Sequence, residues 1–166
     1  MWFRQIIIRL SLKFQHIDDK IMKIIDAQVA WLGREEASLR LELNDMDEIV
    51  NAKLSGIGGP EFLRLLKETR LKLEGDLQKL SLPEGVSPAA LCLRELILKA
   101  KGEWSYPYES EELCHCRAVP TIVVDQAICV GAHTPRKVSD LTSASTACGT
   151  CRPDVESILI FRLGKK

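Results

Sequence analysis

Two close pairs of cysteines restrict what this chain can fold into more than any other feature of its sequence. Cys114 and Cys116 form a C-x-C pair, and Cys148 and Cys151 form a C-x-x-C pair after a long gap. Such pairs act as chelating clips, because two thiolates so near in sequence can reach the same inorganic centre. The sequence therefore predicts a metal or cluster site, and the C-terminal region must bring both pairs together.

Two kinds of centre suit four thiolates. Structural zinc is tetrahedral and is usually held by clips with two to four residues between the cysteines, and a C-x-C clip is compatible with it. A [2Fe-2S] cluster takes two thiolates on each iron, which one C-x-C and one C-x-x-C pair supply. The spacing favours the cluster and leaves zinc as the structural alternative.

The remaining candidate ligands have simpler interpretations. Cys92 and Cys129 lie on apolar faces of predicted helices and are expected to be small buried residues. His115 lies between two cysteines, but four thiolates already complete the ligand set. Arg117 and Arg152 adjoin the cysteines and either add positive charge to the site or are simply solvated.

Charge and composition exclude several classes of function. Lys and Arg together number 23, as do Asp and Glu, so no net field attracts nucleic acid or an anionic membrane. No apolar run is long enough to span a bilayer. The basic, apolar N-terminus is interrupted by Arg9 and lacks a small-residue cleavage site, so we expect a cytoplasmic protein. In that reducing compartment cysteines serve as ligands or buried thiols rather than as disulfides.

No catalytic constellation is present in the sequence. The three histidines, His16, His115 and His133, are scattered, and neither a P-loop nor a dinucleotide fingerprint occurs. We therefore expect a protein that is not an enzyme.

The N-terminal region shows strand, turn and helix patterns. Alternation from Ile6 to Phe14 predicts a half-buried strand, with a short amphipathic helix as the alternative. The spacing of isoleucines in His16–Ala27 predicts a helix. Residues 38–57 alternate around the turn sequence Asn44-Asp45-Met46-Asp47 and predict a hairpin that ends in a glycine-rich corner. The edge of the first strand could pair with a second copy, so a homo-oligomer is also expected.

Two helices are predicted after the glycine-rich corner. Pro60 suits the first turn of a helix whose apolar residues continue to Leu80, and Pro83 ends it. Ser87 is the predicted N-cap of a second helix through Ala100. We predict an α+β domain at 1–104, a linker at 105–112 and a small all-helical domain at 113–166.

The C-terminal region contains three helix signals. Pro120 and Thr121 open a helix to Cys129 that Gly131 can cap, Thr134-Pro135 opens a second, and Arg152-Pro153-Asp154 opens a third. These short helices bury little apolar surface, so a cross-link through the four cysteines would stabilise them.

The segment from Leu113 to Leu159 resembles the bacterioferritin-associated-ferredoxin-like (BFD-like) [2Fe-2S] domain, which occurs alone and within NifU proteins. The resemblance rests on CHCRAVP, GAHT and CGTC in this sequence. It implies a [2Fe-2S] cofactor with Cys114, Cys116, Cys148 and Cys151 as ligands. The chain departs from the family at Ser145-Thr146, where the family often has a small Ala-Gly step.

The region from about Ala27 to Trp104 resembles the scaffold domain of NifU and IscU proteins in its strand-turn-strand pattern and following helix. The resemblance would put assembly cysteines near Gly33, Gly59 and Ala89 and an aspartate near Glu35, and none of these residues is a cysteine or an aspartate. The region would then be a degenerate scaffold without its chemistry; a generic α+β domain with the same pattern is the alternative.

These interpretations predict an iron-sulfur protein that carries electrons or assists cluster assembly or iron metabolism. Its expected partner is a redox protein or an iron-sulfur assembly protein. A redox-sensing interaction module and a zinc-stapled structural protein are the other two hypotheses.

Overall fold

A computed structural model describes residues 13–17, 20–31 and 33–164, and the chain divides into two units by its internal contacts. One unit comprises the residues up to Glu84 together with Cys92–Trp104, and the other comprises Gly85–Leu91 together with the residues from Ser105 onward. The domain limits 1–104, 105–112 and 113–166 stay a prediction.

An antiparallel five-stranded sheet forms the centre of the first unit, with its strands in chain order. The strands are β1 (Lys13–Ile17), β2 (Lys20–Ala30), β3 (Glu36–Leu43), β4 (Glu48–Ile57) and β5 (Gly75–Asp76). With its helices, this sheet confirms the predicted α+β class.

The hairpin of β3 and β4 confirms the prediction for residues 38–57. Alternate residues of β3 are buried, namely Ala37, Leu39, Leu41 and Leu43. The Asn44 side-chain oxygen accepts hydrogen bonds from the backbone N–H groups of Met46 (3.0 Å) and Glu48 (2.9 Å). This turn fixes the register, because an asparagine oxygen can satisfy the donors that a tight reversal leaves open.

The helix predicted over His16–Ala27 is wrong, because this segment forms the end of β1 and most of β2. Ile25, Ala27 and Val29 are buried in alternation, and β2 pairs with β3 from Lys23 opposite Leu43 to Ala30 opposite Glu36. Pairing with the next strand along the chain therefore overrides the helical spacing of the isoleucines. Phe14 lies in β1, and residues 6–12 of the predicted first strand lie outside the described residues.

Helix α1 (Pro60–Arg70) begins at the predicted proline but ends earlier than predicted. Leu71 is exposed, and Gly75 has a φ of 76°, a left-handed conformation that no helix continues through. A short 3-10 helix, Leu77–Lys79, follows β5. Leu77 and Leu80 are still buried, so the apolar pattern is satisfied without a continuous helix.

The glycine-rich corner brings β4 close to α1. A Cβ on Gly56 would lie 2.6 Å from the Glu36 carbonyl oxygen and 3.0 Å from the Phe62 ring. Gly56→Ala is therefore expected to destabilise the first unit by about 1–3 kcal/mol, because backbone must move to make room. Urea unfolding followed by circular dichroism measures this loss.

Gly59→Ala is the matched control for this substitution. A Cβ there would meet nothing within 4 Å, and the φ of Gly59 is −68°, which alanine adopts readily. Equal unfolding midpoints for the two variants would contradict the steric explanation.

Helix α2 (Pro88–Lys101) confirms the second predicted helix of the region. The Ser87 hydroxyl accepts the backbone N–H of Ala90 at 3.3 Å, so Ser87 is the predicted N-cap. Leu91, Leu93, Leu96 and Ile97 are buried along the helix.

The second unit consists of three helices and a small strand pair. Its elements are β6 (Glu112–Cys114), β7 (Val119–Pro120), α3 (Thr121–Cys129), α4 (Pro135–Thr142) and α5 (Arg152–Leu163). The three helices confirm the predicted helical domain, and a short strand pair accompanies them. The pair forms because the chain reverses around His115–Ala118, where Ala118 has a φ of 49°.

Helix ends in this unit follow the sequence signals. Gly131, just after α3, has a positive φ of 122°, and the Thr134 hydroxyl caps α4 by accepting the Lys137 N–H. Proline lies in the first turn of both α4 and α5. These caps fix where the loops around the cysteines begin.

The three helices enclose one apolar core, whose members include Val124, Ile128, Val138, Val155 and Ile158. No helix in the described part of the chain has the length and apolar character needed to cross a membrane.

Candidate cluster site

Two loops of the second unit carry the four paired cysteines. Cys114 ends β6 and Cys116 lies in the reversal that leads to β7. Cys148 lies in the loop between α4 and α5, and Cys151 is the residue that caps the N-terminus of α5. Each clip thus starts or ends on a regular element, which fixes its position.

The four cysteine sulfur atoms contact one another in succession, and this succession is called the cysteine row. The Sγ atoms of Cys148 and Cys116 are 3.4 Å apart, and those of Cys116 and Cys114 are 3.7 Å apart. Cys114 in turn makes a thiol contact with Cys151. The fold therefore brings together all four cysteines that the sequence singles out.

The four thiols differ in exposure. Cys114 and Cys151 are buried, and Cys116 and Cys148 are exposed. One side of the site is thus covered by protein, and the other faces solvent.

The row of sulfurs is compatible with thiolate ligation of iron. Two thiolates on one tetrahedral metal, each about 2.3 Å from it, are about 3.8 Å apart. The distance between Cys114 and Cys116 matches this spacing, and that between Cys116 and Cys148 is slightly shorter. As they stand, no three His, Cys, Asp or Glu side chains in the described segments surround a position for a single metal ion.

Thr150 strongly affects the Cys148 thiol. Hydrogen bonds from the Thr150 hydroxyl and backbone N–H lower the pKa of Cys148 to about 7. Because a thiolate rather than a thiol binds metal, this loop favours the ligating form of Cys148 near neutral pH.

The backbone N–H of Ser145 acts to lower the pKa of both buried thiols, Cys114 and Cys151. Burial acts to raise the pKa of Cys114, but the N–H groups of Ser145 and Arg117 and contacts with the other thiols bring its pKa below the ordinary value. Burial and contact with Cys114 raise the pKa of Cys151, against which Ser145 acts. Donors aimed at sulfur suit an anionic centre in this place.

The pKa of Cys116 depends on a different balance of contacts. The backbone N–H of Cys148 favours its thiolate, whereas the thiol contacts with Cys148 and Cys114 disfavour it, and the pKa is raised. Both opposing contacts come from neighbouring thiols, so the shift reflects competition for charge within the row.

A hydrogen-bonded bridge joins the two cysteine loops. Arg117 Nε donates to Thr146 Oγ1 at 3.2 Å, and the Thr146 hydroxyl donates to the Ser143 carbonyl oxygen at 2.7 Å. The loop is unusual in its backbone, because Ser143 (φ 65°) and Ser145 (φ 64°) are both left-handed. Such conformations are costly for residues other than glycine, so surrounding contacts must hold them.

The other candidates lie where the sequence interpretation puts them. Cys92 and Cys129 are buried on α2 and α3. The His115 side chain is 80% exposed, with its Nδ1 2.6 Å from a Glu112 carboxylate oxygen. Arg152 forms an ion pair with Glu156 at 3.0 Å.

Two residues, Thr150 and Ser145, have roles at the site that the sequence interpretation did not assign. Thr150 lies inside the C-x-x-C pair, and a hydroxyl residue within a clip is the signal that could have identified it. The role of Ser145 depends on its left-handed backbone, which no local pattern in the sequence indicates.

Comparison with protein families agrees with this geometry. Residues 113–160 match the family model described as the BFD-like [2Fe-2S] binding domain. This segment includes all four cysteines of the row, and the match does not extend to the N-terminal unit. Neither the curated proteins nor the solved structures contain a match to the chain. The C-terminal part of this protein therefore carries a BFD-like [2Fe-2S] binding domain, which makes it an iron-sulfur protein.

Proposed function

We propose that the protein binds one [2Fe-2S] cluster through Cys114, Cys116, Cys148 and Cys151. It would then act as an electron carrier or as an accessory factor in cluster assembly or iron metabolism. The observation that carries this proposal is the meeting of four thiols within the segment that matches the family. The same observation makes a zinc-stapled structural protein the weaker candidate.

The chain's own groups prepare the site for an anionic centre. Backbone N–H groups of Ser145, Arg117, Cys148 and Thr150 all act to lower the pKa of a neighbouring cysteine thiol and so favour its thiolate. The N-terminus of α5, which begins directly after Cys151, adds the positive end of a helix dipole. The bound cluster would supply the one-electron chemistry, and the protein would supply ligands and electrostatics.

Exposure of Cys116 and Cys148 supports a role in electron transfer. A redox partner can approach that side closely, whereas Cys114 and Cys151 are covered by protein. We therefore propose a redox protein or an iron-sulfur assembly protein as the partner. We also propose that the protein is cytoplasmic and has no enzymatic activity of its own.

The N-terminal unit has a separate place in the proposal. If it is a degenerate scaffold, the positions near Gly33, Gly59 and Ala89 hold no thiol that could build a second cluster. Its remaining role would be contact with a partner or with a second copy of the chain. Redox sensing coupled to such a contact is the second candidate function.

Metal analysis tests the proposal directly. Protein purified without oxygen is expected to contain iron and acid-labile sulfide at about two of each per chain, as a [2Fe-2S] cluster requires. Its visible absorption should bleach with dithionite, and the reduced protein should give an electron paramagnetic resonance signal. Stoichiometric zinc without sulfide would instead establish the structural zinc protein.

Partner binding separates the carrier from the sensing module. Binding of the full chain to a purified cysteine desulfurase or assembly scaffold, with an affinity that changes on reduction, would favour the module. Reversible reduction without any such binding would favour the carrier.

A further inference from the structure

The Ser145 side chain lies at the cluster site with an unused donor. Its hydroxyl oxygen is buried and has no hydrogen-bond partner in the part of the chain that the structure describes. Buried hydroxyls nearly always have a partner, so an unpaired one calls for an explanation. The cysteine row beside it offers one.

The backbone of Ser145 fixes where this hydroxyl lies. With a φ of 64°, Ser145 directs its N–H to the sulfurs of both Cys114 and Cys151. The hydroxyl lies beside the Cys151 thiol, but no contact between the two groups meets the geometry of a hydrogen bond. Thiolates and cluster sulfides are better acceptors than thiols because they carry negative charge.

We propose that the Ser145 hydroxyl donates a hydrogen bond to a sulfur of the bound cluster or its Cys151 ligand and thereby raises the reduction potential. This inference rests on the proposed function. Reduction by dithionite or by a redox partner protein would add one electron to the bound cluster, while the Ser145 oxygen would keep its proton, so no covalent bond would be made or broken. A donor to sulfur stabilises the more negative, reduced state more than the oxidised one.

The backbone N–H of Ser145 would act in the same direction, but any residue can supply it. The hydroxyl is what this side chain adds to that backbone donor. Ser145 would therefore set this protein's potential above that of an otherwise equal site without the hydroxyl.

Two substitutions remove the hydroxyl in different ways. Ser145→Ala keeps a Cβ in the left-handed conformation, and Ser145→Gly removes the Cβ and relieves the conformational cost. Both are expected to lower the reduction potential, so that the reduced-to-oxidised ratio at a fixed applied potential falls roughly three- to tenfold. Tenfold corresponds to about 59 mV for one electron.

Ser143→Ala is the matched control. Ser143 lies in the same loop with nearly the same φ, 65°, and its side chain is exposed. Its substitution should leave the potential unchanged, because it removes a hydroxyl without removing a donor to sulfur.

Potentials are measured by redox titration of the three variants and the unchanged protein, each with its iron and sulfide content determined. Resonance Raman spectra in H2O and D2O give a second readout, since an exchangeable donor to sulfur shifts the iron-sulfur bands. Equal potentials and equal isotope shifts in Ser145→Gly and the unchanged protein, with clusters intact, would overturn the role of Ser145. Absence of iron and sulfide from the unchanged protein would instead overturn the proposed function.

Discussion

Cys116→Ser is expected to yield protein with little or no bound cluster. Cys116 occupies the middle of the sulfur row, in contact with Cys114 at 3.7 Å and Cys148 at 3.4 Å. A serine hydroxyl titrates far above neutral pH and is a poor substitute for a soft thiolate ligand. Iron and sulfide content per chain and the visible spectrum after anaerobic purification measure the loss.

Cys129→Ser is the matched control for ligand loss. Cys129 is buried on α3, within the same unit but outside the two cysteine loops. Its substitution replaces a buried thiol with a more polar hydroxyl and should lower thermal stability while leaving the cluster spectrum unchanged. Equal loss of cluster in both variants would refute the ligand assignment.

Asp125→Asn is expected to destabilise the second unit by about 3–5 kcal/mol, because it leaves the buried Arg162 cation without its counter-charge. Both residues are buried, on α3 and α5, and Arg162 Nε donates to Asp125 Oδ1 at 2.7 Å. A second bond joins Arg162 Nη2 to Asp125 Oδ2, so the pair is bidentate. The Tyr106 ring packs over the guanidinium with its centroid 5.8 Å away.

Glu156→Gln is the matched control, because it also removes an ion pair between a carboxylate and an arginine, here on the exposed surface of α5. Arg152 and Glu156 are both exposed and one helical turn apart, so this substitution should cost only about 0.3–0.5 kcal/mol. Urea unfolding of both variants in the same cluster state compares the two costs. Similar midpoints would mean that the Asp125 and Arg162 pair contributes no more than an exposed one.

Much of the fold could be predicted where local signals agree with the final structure. The Asn44 turn between alternating strands and the serine cap of α2 specify their elements without help from distant residues. The helix prediction for His16–Ala27 was wrong because pairing with β3, the next strand along the chain, decides the conformation of this segment, and the segment's own pattern does not show that pairing. The prediction that the helix continues from Arg70 to Leu80 was wrong for another reason, because Leu77 and Leu80 are buried without a continuous helix.

The candidate site could likewise be predicted only in part. Its four cysteines follow from spacing alone, because clips are local. Ser145 and the bridge from Arg117 to Thr146 depend on the loop between α4 and α5, in which both Ser143 and Ser145 are left-handed. Serine is an uncommon residue for that conformation, so the sequence contains no signal for it.

The unequal exposure of the four thiols also bears on how the protein acquires its metal. A metal ion arriving from solvent meets Cys116 and Cys148 first, whereas Cys114 and Cys151 already lie in place beneath them. A donor protein therefore needs access to only one side of the site.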